Sequence, residues 1–169
     1  MLLRSFLQGK DLLDFEKIKE RGWKLVCIDD NVIFDEGASR LAKAACDGGA
    51  SELMALSIPQ LLSGNAVSAL VMPATQRGIE AFQNADNYER YVLSFDACLL
   101  FSLPLGFILL RTGDSQHTIY AGPARFLTFA TGVKVGKADA YALGDLTRDS
   151  PHLLAAYRPV QVDFRLPEG

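Results

Sequence analysis

The sequence predicts a single α+β domain, residues 1–169, on a mixed or mainly antiparallel sheet whose central hairpin spans about residues 106–121 and is packed by several helices. Three observations carry this expectation. The chain has 169 residues, 49% hydrophobic and 22% charged, a globular composition and long enough to bury about 70% of the surface exposed on unfolding. Stretches with helical spacing alternate with short apolar runs. Two apolar runs flank Gly113-Asp114-Ser115, which is turn chemistry between paired strands.

Taken in order, residues 11–21 predict an amphipathic helix. Leu12, Leu13, Phe15 and Ile18 fall at helical spacing, Glu16, Lys17, Lys19 and Glu20 lie between them, and Gly22 is placed to stop it. Residues 23–28, Trp-Lys-Leu-Val-Cys-Ile, predict a short buried strand. Asp29-Asp30-Asn31 is a turn, and residues 32–34 are a second brief strand or a loop anchor. A helix follows from Asp35 or Glu36 to about Cys46. Leu41, Ala42, Ala45 and Cys46 form its inner face, and Gly48-Gly49 stops it. Residues 52–58 fit a helical turn or a strand equally well, and Pro59 marks the next boundary. Residues 61–74 are weakly patterned. Residues 75–85 predict a helix with Ile79 and Phe82 inward, and residues 91–93 lean to strand.

The clearest signal is the hairpin. Residues 106–112 form one strand and residues 116–121 its return partner. Pro123 suits the first turn of a helix over residues 124–130. Residues 138–143 and 153–157 are expected to be helical. Residues 160–164, Val-Gln-Val-Asp-Phe, alternate as a half-exposed strand at a sheet edge does.

Composition also excludes classes. The net charge is −3 and there is no Lys/Arg block, so the electrostatic footprint of a nucleic-acid binder is missing. The apolar residues 97–110 are too few to span a bilayer and are broken by Pro104 and Gly106, so core strands are expected there. The N-terminal seven residues are too short for a secretion signal. Cys27, Cys46 and Cys98 are odd in number and lack metal-ligand or disulfide spacing, which predicts buried free thiols in a reducing cytoplasm. No cofactor and no metal site are expected.

Catalytic sets are incomplete. His117 and His152 are the only histidines, and no Gly-x-Ser-x-Gly elbow is present. Residues 132–138 lack the spacing and the Ser/Thr of a phosphate loop. Asp29, Asp30, Asp35 and Glu36 follow a predicted buried strand, where many α/β sites keep their carboxylates. The run Leu-Val-Cys-Ile-Asp29-Asp30-Asn31 resembles the first motif of the haloacid-dehalogenase-like phosphatases. Residues 91–94, ending in Ser94, resemble the phosphate-binding strand of that family, and Gly144-Asp145-Leu-Thr-Arg-Asp149 resembles its metal motif, with Lys134 or Lys137 as the phosphate-binding lysine. This resemblance implies a Mg²⁺-dependent phosphatase with Asp29 as nucleophile. Asn31, however, stands where the family has its acid/base Asp, and the hairpin falls where that family alternates strand and helix.

A second resemblance is to the small immunity proteins of bacterial toxin–immunity systems of the contact-dependent inhibition type. It rests on a compact acidic α+β chain whose hairpin, Gly106-Phe-Ile-Leu-Leu-Arg-Thr-Gly-Asp-Ser-Gln-His-Thr-Ile-Tyr-Ala-Gly122, leads straight into an aromatic helix. It implies a non-catalytic, cytoplasmic protein that neutralises one cognate toxin domain. Asp29, Asp30, Asp35, Glu36, Asp86 and Asp114 are the expected contacts to a basic partner, because complementary charge speeds association. Phe126 and Phe129 beside Arg125 offer a further partner-binding spot unless the core consumes them. A third reading is an adaptor or structural subunit that binds through the edge strand at residues 160–164. The expected partner is a protein, neither nucleic acid nor membrane; the oligomeric state is left open.

Overall fold

The computed structural model describes residues 3–10, 12–28, 35–64, 69–83, 97–111, 118–132 and 141–143. Seven strands form one sheet: β1 (Lys24–Ile28), β2 (Glu52–Ser57), β3 (Leu70–Pro73), β4 (Cys98–Ser102), β5 (Ile108–Arg111), β6 (Thr118–Gly122) and β7 (Tyr141–Leu143). Their order is β3-β2-β4-β5-β6-β1-β7. Every neighbouring pair is antiparallel except β1 and β7, which are parallel. The α+β class, the mixed sheet and the central hairpin are therefore as the sequence predicts. β5 and β6 pair with Leu109 opposite Tyr120 and Leu110 opposite Ile119.

The helices are α1 (Phe15–Glu20), α2 (Asp35–Asp47), α3 (Ile58–Ser63), α4 (Gln76–Gln83) and α5 (Ala124–Thr131), with a 3-10 turn at Leu3–Phe6. They divide the core into two layers. On one sheet face, α2, α4 and α5 supply Leu41, Ala45, Ile79, Phe82 and Leu127 against Val26, Leu53, Leu100 and Leu109. On the other, the 3-10 turn, α1 and α3 supply Phe6, Phe15, Ile18 and Ile58 against Leu25, Leu99, Leu110 and Ile119. The middle strands β4, β5 and β6 are buried at every position. That is why residues 97–110 read as a continuous apolar run rather than an alternation.

Local chemistry sets the helix ends. Asp14 is the N-cap of α1 and accepts from the Lys17 backbone N–H at 3.1 Å. The helix thus starts at Phe15 rather than at residue 11. Leu13 is buried just before the helix and bridges back to Leu7. Asp14→Ala removes the acceptor for one of the orphan first-turn donors. It is expected to cost about 1 kcal/mol, seen as a lower denaturant midpoint with an unchanged slope. Helix α2 stops at the predicted glycines. Gly49, at φ 84°, donates to Cys46 O at 2.9 Å, and Ala50 donates to Ala45 O at 3.0 Å, a left-handed stop that a residue without Cβ adopts at little cost. On the other face, Arg21 stacks over Trp23, 4.5 Å from the ring centroid, and donates through Nη2 to Leu105 O at 3.2 Å. This ties the N-terminal segment to the β4–β5 connection.

Two expectations are corrected. Residues 141–143 form the parallel edge strand β7, not the end of a helix, because pairing with β1 outweighs the helix propensity of Ala and Leu. Cys46 is exposed, whereas Cys27 and Cys98 are buried. At the last turn of α2, the Cys46 Sγ donates to Ala74 O at 3.3 Å. A thiol-reactive dye is therefore expected to modify Cys46 rapidly in the native state, and Cys27 and Cys98 only on unfolding. Fast native labelling of either buried thiol contradicts this packing.

Candidate functional site

The six predicted contact residues divide. Asp35 and Glu36 lie together in the exposed first turn of α2, where negative charge is favoured by the helix dipole. Asp29, Asp30, Asp86 and Asp114 lie outside the described residues. The structure adds Glu80 of α4 to the acidic end of α2. Its Oε1 accepts from the Asp35 backbone N–H at 3.1 Å and from Gln76 Nε2 at 2.9 Å. Asp35 has φ 46°, a conformation that Asp tolerates better than most residues. Arg40 donates to Glu36 at 2.6 Å, so part of the negative charge is neutralised on the helix itself. Asn31, Ser94, Lys134, Lys137, Asp145, Asp149, both histidines and residues 160–164 also lie outside the described residues. Among the described residues, no three His, Cys, Asp or Glu side chains are grouped to hold a metal ion.

The other end of α2 carries a different surface. A cleft of about 250 Å³ opens between the C-terminal end of α2, the β4–β5 connection and α5. Its walls are largely apolar: Ala44, Phe107, Phe126 and Phe129 line it, with the glycines at 48 and 106. Phe107 and Phe126 stack with centroids 4.1 Å apart and planes 11° apart, which gives the cleft a rigid aromatic wall. The sequence's aromatic pair separates here. Phe126 is buried in the core, and Phe129, one turn on, is 45% exposed at the rim. Arg125 lies 5.7 Å from the Phe129 ring centroid, within cation–π range. Asp47 lines the wall on the α2 side. Sequence reasoning reached Arg125 and Phe129 but missed Asp47, Ala44 and Phe107, because a cleft between three separated segments leaves no local spacing to read.

A polar row was also invisible in the sequence. Ser57, Cys98, Arg111 and Thr118 stand directly opposite one another across β2, β4, β5 and β6. All four are buried. Directly paired residues share a sheet face, so the row lies on the α2 side, at the end where β1 finishes with Ile28 opposite Thr118. The single hint was Arg111 closing the run Ile-Leu-Leu-Arg, where a wholly buried strand has no solvent face to receive it.

No helix among the described residues is long and apolar enough to cross a membrane. No family model matches the chain, and no curated protein or solved structure matches it.

Proposed function

We propose that the chain is a non-catalytic, cytoplasmic protein-binding protein of the toxin-neutralising, immunity type. The observation that carries the reading is the exposed Phe129 with Arg125 at the rim of an apolar cleft. Aromatic and Arg side chains beside a pocket that excludes water are the groups that dominate binding energy at protein interfaces. The acidic turn at Asp35 and Glu36 supplies an outer region that attracts a basic partner, with Asp29, Asp30, Asp86 and Asp114 as further contacts. Five of the six strand pairings are antiparallel and only β1 with β7 is parallel, which supports recognition over the phosphatase reading, whose family alternates strand and helix on a parallel sheet.

The test uses full-length wild type and Phe129→Ala as bait in a lysate of the source cell. Phe129 is surface-exposed, so its truncation is expected to leave stability within about 0.5 kcal/mol. Wild type should retain one stoichiometric partner carrying a toxin domain, and Phe129→Ala should weaken that complex at least tenfold. Equal retention by both proteins removes the proposed surface. Magnesium-dependent phosphatase turnover that is abolished by Asp29→Asn, with no partner captured, replaces the reading with the enzymatic one.

A further inference from the structure

We infer that the cleft between α2 and α5 is the receptor for a single large apolar side chain, aromatic by preference, presented by a partner segment carrying a basic group on one side of that anchor and an acidic group on the other. The inference rests on the protein-binding reading and specifies the chemistry of its partner.

Size comes first. An apolar cavity of about 150 Å³ holds a benzene ring, whereas pockets for drug-sized ligands and cofactors run from about 300 to 1,000 Å³. At about 250 Å³ the cleft accommodates one indole- or phenyl-sized group and is small for a nucleotide or a cofactor. The polarity of the walls agrees. Ser102 is the one hydroxyl side chain among the described lining residues, and it is already engaged. Its Oγ donates to Pro104 O at 3.1 Å and accepts from the Gly106 N–H at 3.1 Å. A polar metabolite inserted here would trade most of its hydrogen bonds to water for the few that Asp47 and Arg125 offer at the flanks, which is unfavourable. An apolar ring loses nothing and meets the stacked Phe107–Phe126 wall.

Charge then defines the flanks. The α2 wall combines Asp47 with the negative end of the helix dipole, and both favour a cation. The α5 wall carries Arg125, 5.7 Å from the Phe129 ring centroid, and its guanidinium N–H groups donate to a carboxylate. A partner segment with like charge on either side meets repulsion there, so the two walls select as well as attract. The acidic turn of α2 lies at the other end of that 13-residue helix, about 18 Å away at 1.5 Å rise per residue. One partner reaches both surfaces across a standard interface.

The test is an NMR titration of the ¹⁵N-labelled full chain with three capped peptides: Ac-Lys-Ala-Trp-Ala-Glu-NH₂, its reversal Ac-Glu-Ala-Trp-Ala-Lys-NH₂, and the neutral Ac-Gln-Ala-Trp-Ala-Gln-NH₂. One charged order should bind at least threefold tighter than the neutral peptide and perturb the amides of Gly48, Gly106 and Phe107. The tryptophan ring should give NOEs to Phe107 and Phe129. Gly106→Leu fills the cleft at a position where a Cβ has only ordinary contact, 3.4 Å from Ser102 Oγ, and should abolish the binding. The ring NOEs in wild type carry the test if that variant does not fold. Absence of perturbation at the cleft overturns the inference, as does equal or tighter binding of the neutral peptide. Concentration-dependent dimerisation abolished by Gly106→Leu also overturns it, because the occupant is then a second copy of the chain. A partner captured through Phe129 and still held by Gly106→Leu overturns the inference and leaves the protein-binding reading intact. Peptide binding at the cleft with no captured partner supports the anchor site and removes only the toxin-neutralising part of the proposed function.

Discussion

Leu109→Ala is expected to destabilise the protein by about 2–5 kcal/mol, and Leu110→Ala, one residue on, by a similar amount. The two side chains point to opposite sheet faces. Leu109 packs on the α2, α4 and α5 side between Leu100 and Tyr120 of the flanking strands. Leu110 packs on the α1 and α3 side between Leu99 and Ile119. Both are fully buried. Each truncation loses the transfer free energy of the deleted methyl groups and leaves a cavity that a sheet held on both edges cannot close. An antiparallel sheet with one wet face would place one of the two in solvent, where alanine costs a few tenths of a kcal/mol. Denaturant titration distinguishes the two pictures. If only one substitution lowers stability by more than about 1 kcal/mol, one face of β5 is open to water and the two-layer core is wrong.

The same double burial explains what the sequence made legible. Runs such as Cys98–Ser102 and Ile108–Arg111 are apolar throughout, so strand and hairpin stand out even though alternation is absent. Residues 52–57, Glu-Leu-Met-Ala-Leu-Ser, were ambiguous for a physical reason. They contain no β-branched or aromatic residue, and Leu, Met and Ala are good helix formers. Pairing with β3 on one side and β4 on the other makes them a strand. The weakly patterned residues 61–74 hide the end of α3 and all of β3 for the opposite reason, being short elements with few positions to set a period. Of the candidate site, Asp35, Glu36, Arg125 and Phe129 were legible because each stands beside a helix start or an aromatic neighbour. Asp47 and Phe107 were not, because only the packing of α2 and α5 beside the β4–β5 connection brings them together, and the Ser57–Cys98–Arg111–Thr118 row was not, because strand order alone aligns it.

Gly78→Ala is expected to destabilise the protein by about 3 kcal/mol, against the sign that helix propensity predicts. In an exposed helix interior this change gains about 1 kcal/mol, because alanine restricts the unfolded chain and glycine does not. Gly78 lies in the first turn of α4, and its N–H donates to Thr75 Oγ1 at 3.1 Å, so Thr75 acts as the cap. The chain reaches that cap from the end of β3 within two residues, and the Thr75 N–H donates to Pro73 O at 2.8 Å. The tight turn lays the Pro73 carbonyl against Gly78. A Cβ there would stand 2.3 Å from Pro73 O and 3.2 Å from Thr75 Oγ1. The obstacle is backbone, with no flexible side chain to move aside, so β3, α4 or both must shift. Ile79 and Phe82 of α4 lie in the core with Met72 of β3, and any shift opens that packing. The loss should lower Tm by about 6–12 °C, at roughly 2–4 °C per kcal/mol for a chain of this size. A Tm equal to or above wild type would mean that the β3–α4 turn closes in another way. Thr75→Ala keeps the glycine and removes only the cap. It should cost about 1 kcal/mol, which separates loss of the hydrogen bond from steric exclusion of the Cβ.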